Sequence, residues 1–147
     1  MNYMTHETFV TWQRLLLAFV LGSAIGLERE RKGGSAGLRT HILVCVGSTL
    51  IMLVSIYIYD MYKGTAPVDP GRIAAGVVTG IGFLGAGTIM RGGKDIKGLT
   101  TAASVWVSSA IGLAVGCGFL SAAFATTMIT VITLALLKWL EHRLQRE

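Results

Sequence analysis

The sequence predicts an all-α integral membrane protein, a bundle of about five transmembrane helices with glycine-rich helix packing. Three observations carry that expectation. From Leu99 to Leu137 the chain runs 39 residues without one Asp, Glu, Lys, Arg or His. The composition is 52% hydrophobic and 14% charged, with a mean hydropathy of +0.62, too apolar for an ordinary soluble domain. The 19 glycines would weaken a water-soluble bundle, but they suit helices that pack backbone against backbone in lipid.

The whole chain, residues 1–147, reads as one transmembrane domain. The first span covers about residues 9–27. Gln13 and Arg14 interrupt it, so Arg14 is expected to snorkel to the interface or the preceding segment to lie along the membrane surface. No basic leader precedes this stretch and charged residues follow it, which reads as a retained span and not as a cleaved signal peptide. The second span covers about 38–59 and the third about 73–90. Between them, Met61 to Gly71 holds both prolines, Pro67 and Pro70, which forbid helix continuation and mark a linker. As one helix the uncharged stretch would be about 58 Å long, twice the roughly 30 Å hydrocarbon core. It must therefore fold back, and Gly116-Cys117-Gly118 is the place. That turn divides it into a fourth span of about 100–115 and a fifth of about 119–137. Residues 138–147 read as a short cytoplasmic tail forming an amphipathic exit helix.

Orientation follows from Lys and Arg placement. Arg29, Arg31, Lys32 and Arg39 lie between spans one and two; Arg91, Lys94 and Lys97 lie between three and four; Lys138, Arg143 and Arg146 lie in the tail. These are ten of the 13 basic residues, which puts the N-terminus outside and the C-terminus and both charged loops in the cytoplasm. The net charge of +5 does not point to nucleic acid, because the basic residues sit between apolar runs and not along one face. Cys45 lies inside an apolar run and Cys117 at the outer turn, so no disulfide is expected between them.

Gly80 to Gly87 matches the G-x-G-x-x-G pattern of dinucleotide sites, but it lies within a span, without the strand and downstream acid that the fold requires. Its glycines serve packing instead. Gly22 and Gly26, Gly76 and Gly80, and Gly112 and Gly116 are each four apart on one helix face, with Gly82, Gly85 and Gly87 widening the smooth surface of span three. The alternative is a hinge or broken helix that offers backbone carbonyls to an ion. A faint internal echo relates Gly37-Leu38-Arg39-Thr40 to Gly98-Leu99-Thr100-Thr101.

Two charged clusters are the binding candidates. Glu28, Arg29, Glu30 and Arg31 close the first span, where Glu28 is spaced to pair with Arg31 or Lys32. Arg39 and Thr40 open the second span beside His41, while Arg91, Lys97, Thr100 and Thr101 surround the start of the fourth. Helix N-termini with added cations suit a lipid phosphate or another anion. Threonine capping and positive-inside anchoring explain the same residues and are expected first. No catalytic grouping, metal-ligand pattern or cofactor motif is visible, so no enzyme, metal or cofactor is expected. All eight acidic residues fall in loops, the tail or span edges, which weighs against a self-sufficient cation pathway.

Gly26-Leu27-Glu28-Arg29-Glu30-Arg31, Ala36-Gly37-Leu38-Arg39-Thr40, Arg72-Ile73-Ala74-Ala75, Gly80 to Ile89 and Gly98 to Ala103, in this order, resemble the membrane domain of the MgtC/SapB family of bacterial inner-membrane proteins. The resemblance implies a five-span fold with an external N-terminus. It further implies a link to magnesium homeostasis at low magnesium, to virulence through survival inside macrophages, and in some members to restraint of the F-type ATP synthase. Many members continue into a soluble C-terminal domain, which these 147 residues do not include. The expected function is a non-enzymatic modulator of another membrane protein, bound to membrane lipids and self-associating as a homo-oligomer through its glycine faces. The alternatives are a transporter or channel for magnesium or an anion, and a phospholipid-binding scaffold.

Overall fold

The computed structural model describes the backbone of residues 2–92 and 95–144 and the side chains of residues 7–91 and 95–136. Lys94 and the tail charges Lys138, Arg143 and Arg146 lie outside the described side chains. Five helices follow one another: α1 (Asn2–Arg31), α2 (Leu38–Tyr62), α3 (Gly71–Gly87), α4 (Leu99–Cys117) and α5 (Leu120–Leu144). The segments Glu7–Arg31, Leu38–Tyr62 and Leu99–Cys117 are long and apolar enough to cross a bilayer. Gly71–Gly87 and Leu120–Leu136 are apolar but shorter. At roughly 1.5 Å per residue, the 17 residues of α3 reach about 26 Å, just under a hydrocarbon core of roughly 30 Å.

The expected third span is too long at its C-terminal end. Thr88 folds back on Gly85, donating to its carbonyl through both the backbone N–H (3.0 Å) and Oγ1 (2.8 Å). The helix stops there, and the chain enters a short antiparallel hairpin, β1 (Met90–Gly92) with β2 (Asp95–Lys97), in which Arg91 pairs with Ile96. The linker before α3 behaves as expected: Asp69 accepts the Gly71 N–H at 2.7 Å, and Ser55 Oγ of α2 donates to the Pro70 carbonyl.

The turn between α4 and α5 also falls where glycine predicts it. Gly118 takes a left-handed φ of +85°, and the Phe119 N–H returns to the Ala114 carbonyl at 2.8 Å. Arg14, half-buried on α1, donates from Nη1 to the Gly116 carbonyl at 2.7 Å. It closes the open carbonyl end of α4, a partner the snorkelling expectation did not supply. Cys45 and Cys117 are free thiols.

Helix α4 is the centre of the bundle and touches all four other helices. Its buried face carries Thr101, Ser104, Ser108 and Ser109 together with Val105, Ile111 and Val115. Against it α2 presents His41, Ser48 and Thr49, and hydroxyl bonds cross the interface: Ser48 Oγ to Ser109 Oγ at 3.3 Å and Thr49 Oγ1 to the Gly112 carbonyl at 2.8 Å. Small residues and hydroxyls at the seam suit a bundle in lipid, where apolar side chains gain little by leaving solvent. The larger apolar side chains point outward: Phe9, Leu43, Phe83 and Ile129 are all more than half exposed. In lipid those faces meet acyl chains, and the polar backbone is satisfied within each helix.

The glycines divide into two groups. A Cβ on Gly22 would lie 2.9 Å from the His41 carbonyl oxygen, one on Gly26 2.7 Å from Leu38 Cα, and one on Gly116 2.8 Å from the Thr49 carbonyl oxygen. Gly112 abuts the Cys45 carbonyl just as closely. These four residues set the backbone approach of α1 and α4 to α2. In α3 the predicted packing glycines find little to pack on within the chain: Gly76, Gly80, Gly82 and Gly87 have nothing within 4 Å, and of the five only Gly85 touches a neighbour, Ala102 at 3.7 Å. The cause is the helix's position at the rim, where Ile81 and Gly85 are its buried residues.

Candidate functional site at the Arg29 end of the bundle

Helix α1 continues through the Glu28–Arg31 cluster and gives way to a turn at Gly33, whose φ is +70°. The turn carries the Gly34 N–H back to the Arg29 carbonyl at 2.9 Å and lays residues 33–35 beside the Arg29 side chain. A Cβ on Gly34 would sit 2.9 Å from Arg29 Nη2, so glycine leaves room for the guanidinium. Arg29 is only 9% exposed. Its Nη2 donates to Thr101 Oγ1 in the first turn of α4 at 3.1 Å, while its Nε is buried with no partner among the described residues. An arginine cannot shed its charge to suit an apolar site, and an unmatched buried donor is costly.

From Thr101 the network runs inward. Ser104 Oγ lies 2.9 Å from the Thr101 carbonyl and 3.0 Å from His41 Nε2, and His41 Nδ1 lies 2.8 Å from the Gly37 carbonyl. A carbonyl only accepts, so Nδ1 is the donating nitrogen. His41 is fully buried. In the sequence it stands only beside Arg39 and Thr40 at the start of the second span, whereas in the fold it joins the start of α2 to α4. Its position one turn past a helix-opening Gly, within a hydroxyl-rich pair of helices, is the signal that could have flagged it.

No hydrogen bond joins Glu28 to Arg31 or Lys32. Both carboxylate oxygens of Glu28 are buried without a hydrogen-bond partner among the described residues, while Arg31 and Lys32 are exposed and Lys32 lies beyond the end of α1. Threonine caps neither helix: α2 starts after Gly37 and α4 after Gly98, and neither N-cap residue supplies a side-chain bond. Instead Glu30 Oε2 accepts the Leu38 N–H at 2.7 Å from the neighbouring helix, and Thr101 is occupied by Arg29. Gly98, with φ +92°, lies so close to the Thr88 carbonyl that no side chain fits there. Arg39 and Thr40 are exposed, as is Arg91 on β1, and these three line neither cavity at this end of the bundle.

Those two cavities meet at Arg29, Leu99 and Thr100. One, about 510 Å³, is bounded by Arg29, Lys32, Gly33 to Ser35 and the β2–α4 junction with Lys97 and Thr101. The other, about 750 Å³, runs between α4 and α5 along Ala103, Val107, Ile129 and Leu134. Of the predicted candidates, the structure thus brings Arg29, Lys97, Thr100 and Thr101 together. No cluster of three or more metal-ligating side chains occurs among the described residues.

A basic, helix-opened pocket on a glycine-packed membrane bundle belongs to a recognisable lineage, because a model of the MgtC family matches residues 15–143. The chain belongs to the MgtC family. It is 43% identical over 146 residues to the putative magnesium transporter YhiD of Escherichia coli K12, covering 98% of this chain and 66% of that protein. An uncharacterized protein of Haemophilus influenzae is 44% identical over 148 residues, covering 95% of this chain and 62% of the relative. The protein MgtC of Salmonella typhimurium LT2 is 44% identical over 132 residues, covering 90% of this chain and 54% of the relative. The chain therefore spans just over half to about two thirds of the length of these curated relatives. No solved structure matches it.

Proposed function

We propose that this MgtC-family protein serves magnesium homeostasis in the bacterial inner membrane, N-terminus outside, as a non-enzymatic modulator of another membrane protein. The observation that carries this reading is the open face of α3. Gly76, Gly80, Gly82 and Gly87 leave a smooth surface with no neighbour, flanked by an 84% exposed Phe83. Such a surface lets a second membrane helix approach backbone to backbone, either from a partner or from another copy of the chain. The names of the relatives, one a putative magnesium transporter and one MgtC, support the magnesium link. The resemblance to the family makes the F-type ATP synthase the partner to test.

Inverted bacterial membrane vesicles provide the test, with ATP-driven acidification read by a pH-sensitive dye. Vesicles containing the chain are expected to pump less than vesicles without it, and Gly80→Leu is expected to restore pumping. Equal pumping with and without the chain would remove the synthase from consideration.

A second reading rests on Glu28. A carboxylate at the membrane end of α1 with both oxygens buried and no hydrogen-bond partner among the described residues is where a cation or a proton would be drawn. Magnesium entry into sealed proteoliposomes, followed by an internal dye and abolished in Glu28→Ala, would favour transport over modulation. No entry above empty liposomes would remove transport.

A further inference from the structure

We infer that the paired cavities at Arg29 form a binding site for one anionic phospholipid, its phosphate held in the basic pocket and an acyl chain laid in the groove between α4 and α5. The inference rests on the membrane placement of the bundle and is independent of the modulator reading.

Three independent features converge on this ligand. The first is an unmet donor: Arg29 is nine-tenths buried, its Nη2 is fixed on Thr101, and its Nε has no acceptor among the described residues. A phosphate oxygen satisfies such a group with a charge-assisted bond. The second is the field. Lys32 and Lys97 line the same pocket, no acidic side chain among the described residues does, and the start of α4, without a side-chain cap, adds its N–H groups and partial positive charge. The third is continuity. The basic pocket shares Arg29, Leu99 and Thr100 with the groove along Ala103 and Val107 of α4. On the far wall of that groove Ile129 is 64% exposed on α5, facing what in a membrane is lipid.

A free phosphate would use only the first two features. A diacyl anion uses all three, and basic pockets between membrane helices at the cytoplasmic side are suited to anionic headgroups. The positive-inside count places this end of the bundle in the cytoplasm. Of the cations the sequence nominates for an anion, Lys97 lines the site, whereas Arg39 and Arg91 lie outside it.

The test is native mass spectrometry of the full chain in neutral detergent, titrated with phosphatidylglycerol or phosphatidylcholine. The wild type is expected to retain phosphatidylglycerol about tenfold better than phosphatidylcholine, because both carry the phosphate but only the latter sets a choline cation against Arg29, Lys32 and Lys97. Arg29→Gln is expected to erase that preference, Arg29→Lys to keep part of it, and Arg39→Gln to leave it intact. Should Arg29→Gln fail to fold, Lys97→Gln, on the exposed hairpin, and Ala103→Trp, which fills the groove, decide the matter, and each is expected to weaken retention. Equal retention of both lipids by the wild type would overturn the inference. So would an Arg39→Gln loss as large as that of Arg29→Gln, or full retention in both Lys97→Gln and Ala103→Trp. Displacement of phosphatidylglycerol by excess inorganic phosphate would assign the pocket to a free anion and overturn the lipid as occupant.

Discussion

The glycines of α1 and α4 and those of α3 share the same spacing of four, yet they face different things. On α1 and α4, Gly22, Gly26, Gly112 and Gly116 are pressed against the backbone of α2. On α3, Gly76 and Gly80 face no atom within 4 Å. Spacing alone states that a close approach is available, and the neighbours decide whether the chain uses it itself. The inner set builds the bundle, and the outer set stays open within the chain.

The largest expected effect comes from filling the inner set. Gly112→Leu drives a side chain into the Cys45 carbonyl and Ser48, and neither can move without separating α2 from α4. A loss of about 3 kcal/mol is expected, the upper end for forced overpacking, read as a lowered midpoint of thermal unfolding by circular dichroism in micelles. An unchanged midpoint would mean that α2 and α4 do not meet at this glycine.

A smaller effect is expected inside the polar seam. Ser104→Ala removes the hydroxyl within 3.0 Å of His41 Nε2 and leaves a fully buried imidazole nitrogen without its partner. The expected cost is about 1–3 kcal/mol, the desolvation of an unsatisfied buried group. Adding His41→Phe is expected to recover part of that loss, because an apolar pair leaves nothing unpaired. Losses that simply add would show that the two side chains do not interact.

This contrast explains what was legible in the sequence. Helix positions were, because hydropathy and Pro/Gly placement act locally: the fold-back at Gly118 and the linker at Pro67 and Pro70 appear where they are expected. Membership of the inner glycine set was half legible, since Gly22 and Gly26 cannot be told from Gly76 and Gly80 without knowing which helix lies at the rim. The site was the least legible. Arg29 sits among four consecutive charged neighbours, from Glu28 to Lys32, and only the register of α1 against α4 selects it for burial against Thr101. The capping of α2 by Glu30 was equally hidden, since the donor at Leu38 lies eight residues away across a turn.

The smallest expected change in stability sharpens the comparison most. Gly80→Leu places a large side chain on α3 where a Cβ meets nothing, so no overpacking arises in the isolated chain. Replacing a helix-interior glycine also removes a backbone-entropy cost of about 1 kcal/mol measured in water. The unfolding midpoint is therefore expected to stay level or rise slightly, in contrast to the fall in Gly112→Leu. The same variant is the one expected to release a partner, because a leucine holds a second helix away from the α3 backbone. Stability retained while association is lost would separate the two glycine sets by function. A fall in stability comparable to that of Gly112→Leu would show that the α3 face is closed within the chain and has no room for a second one.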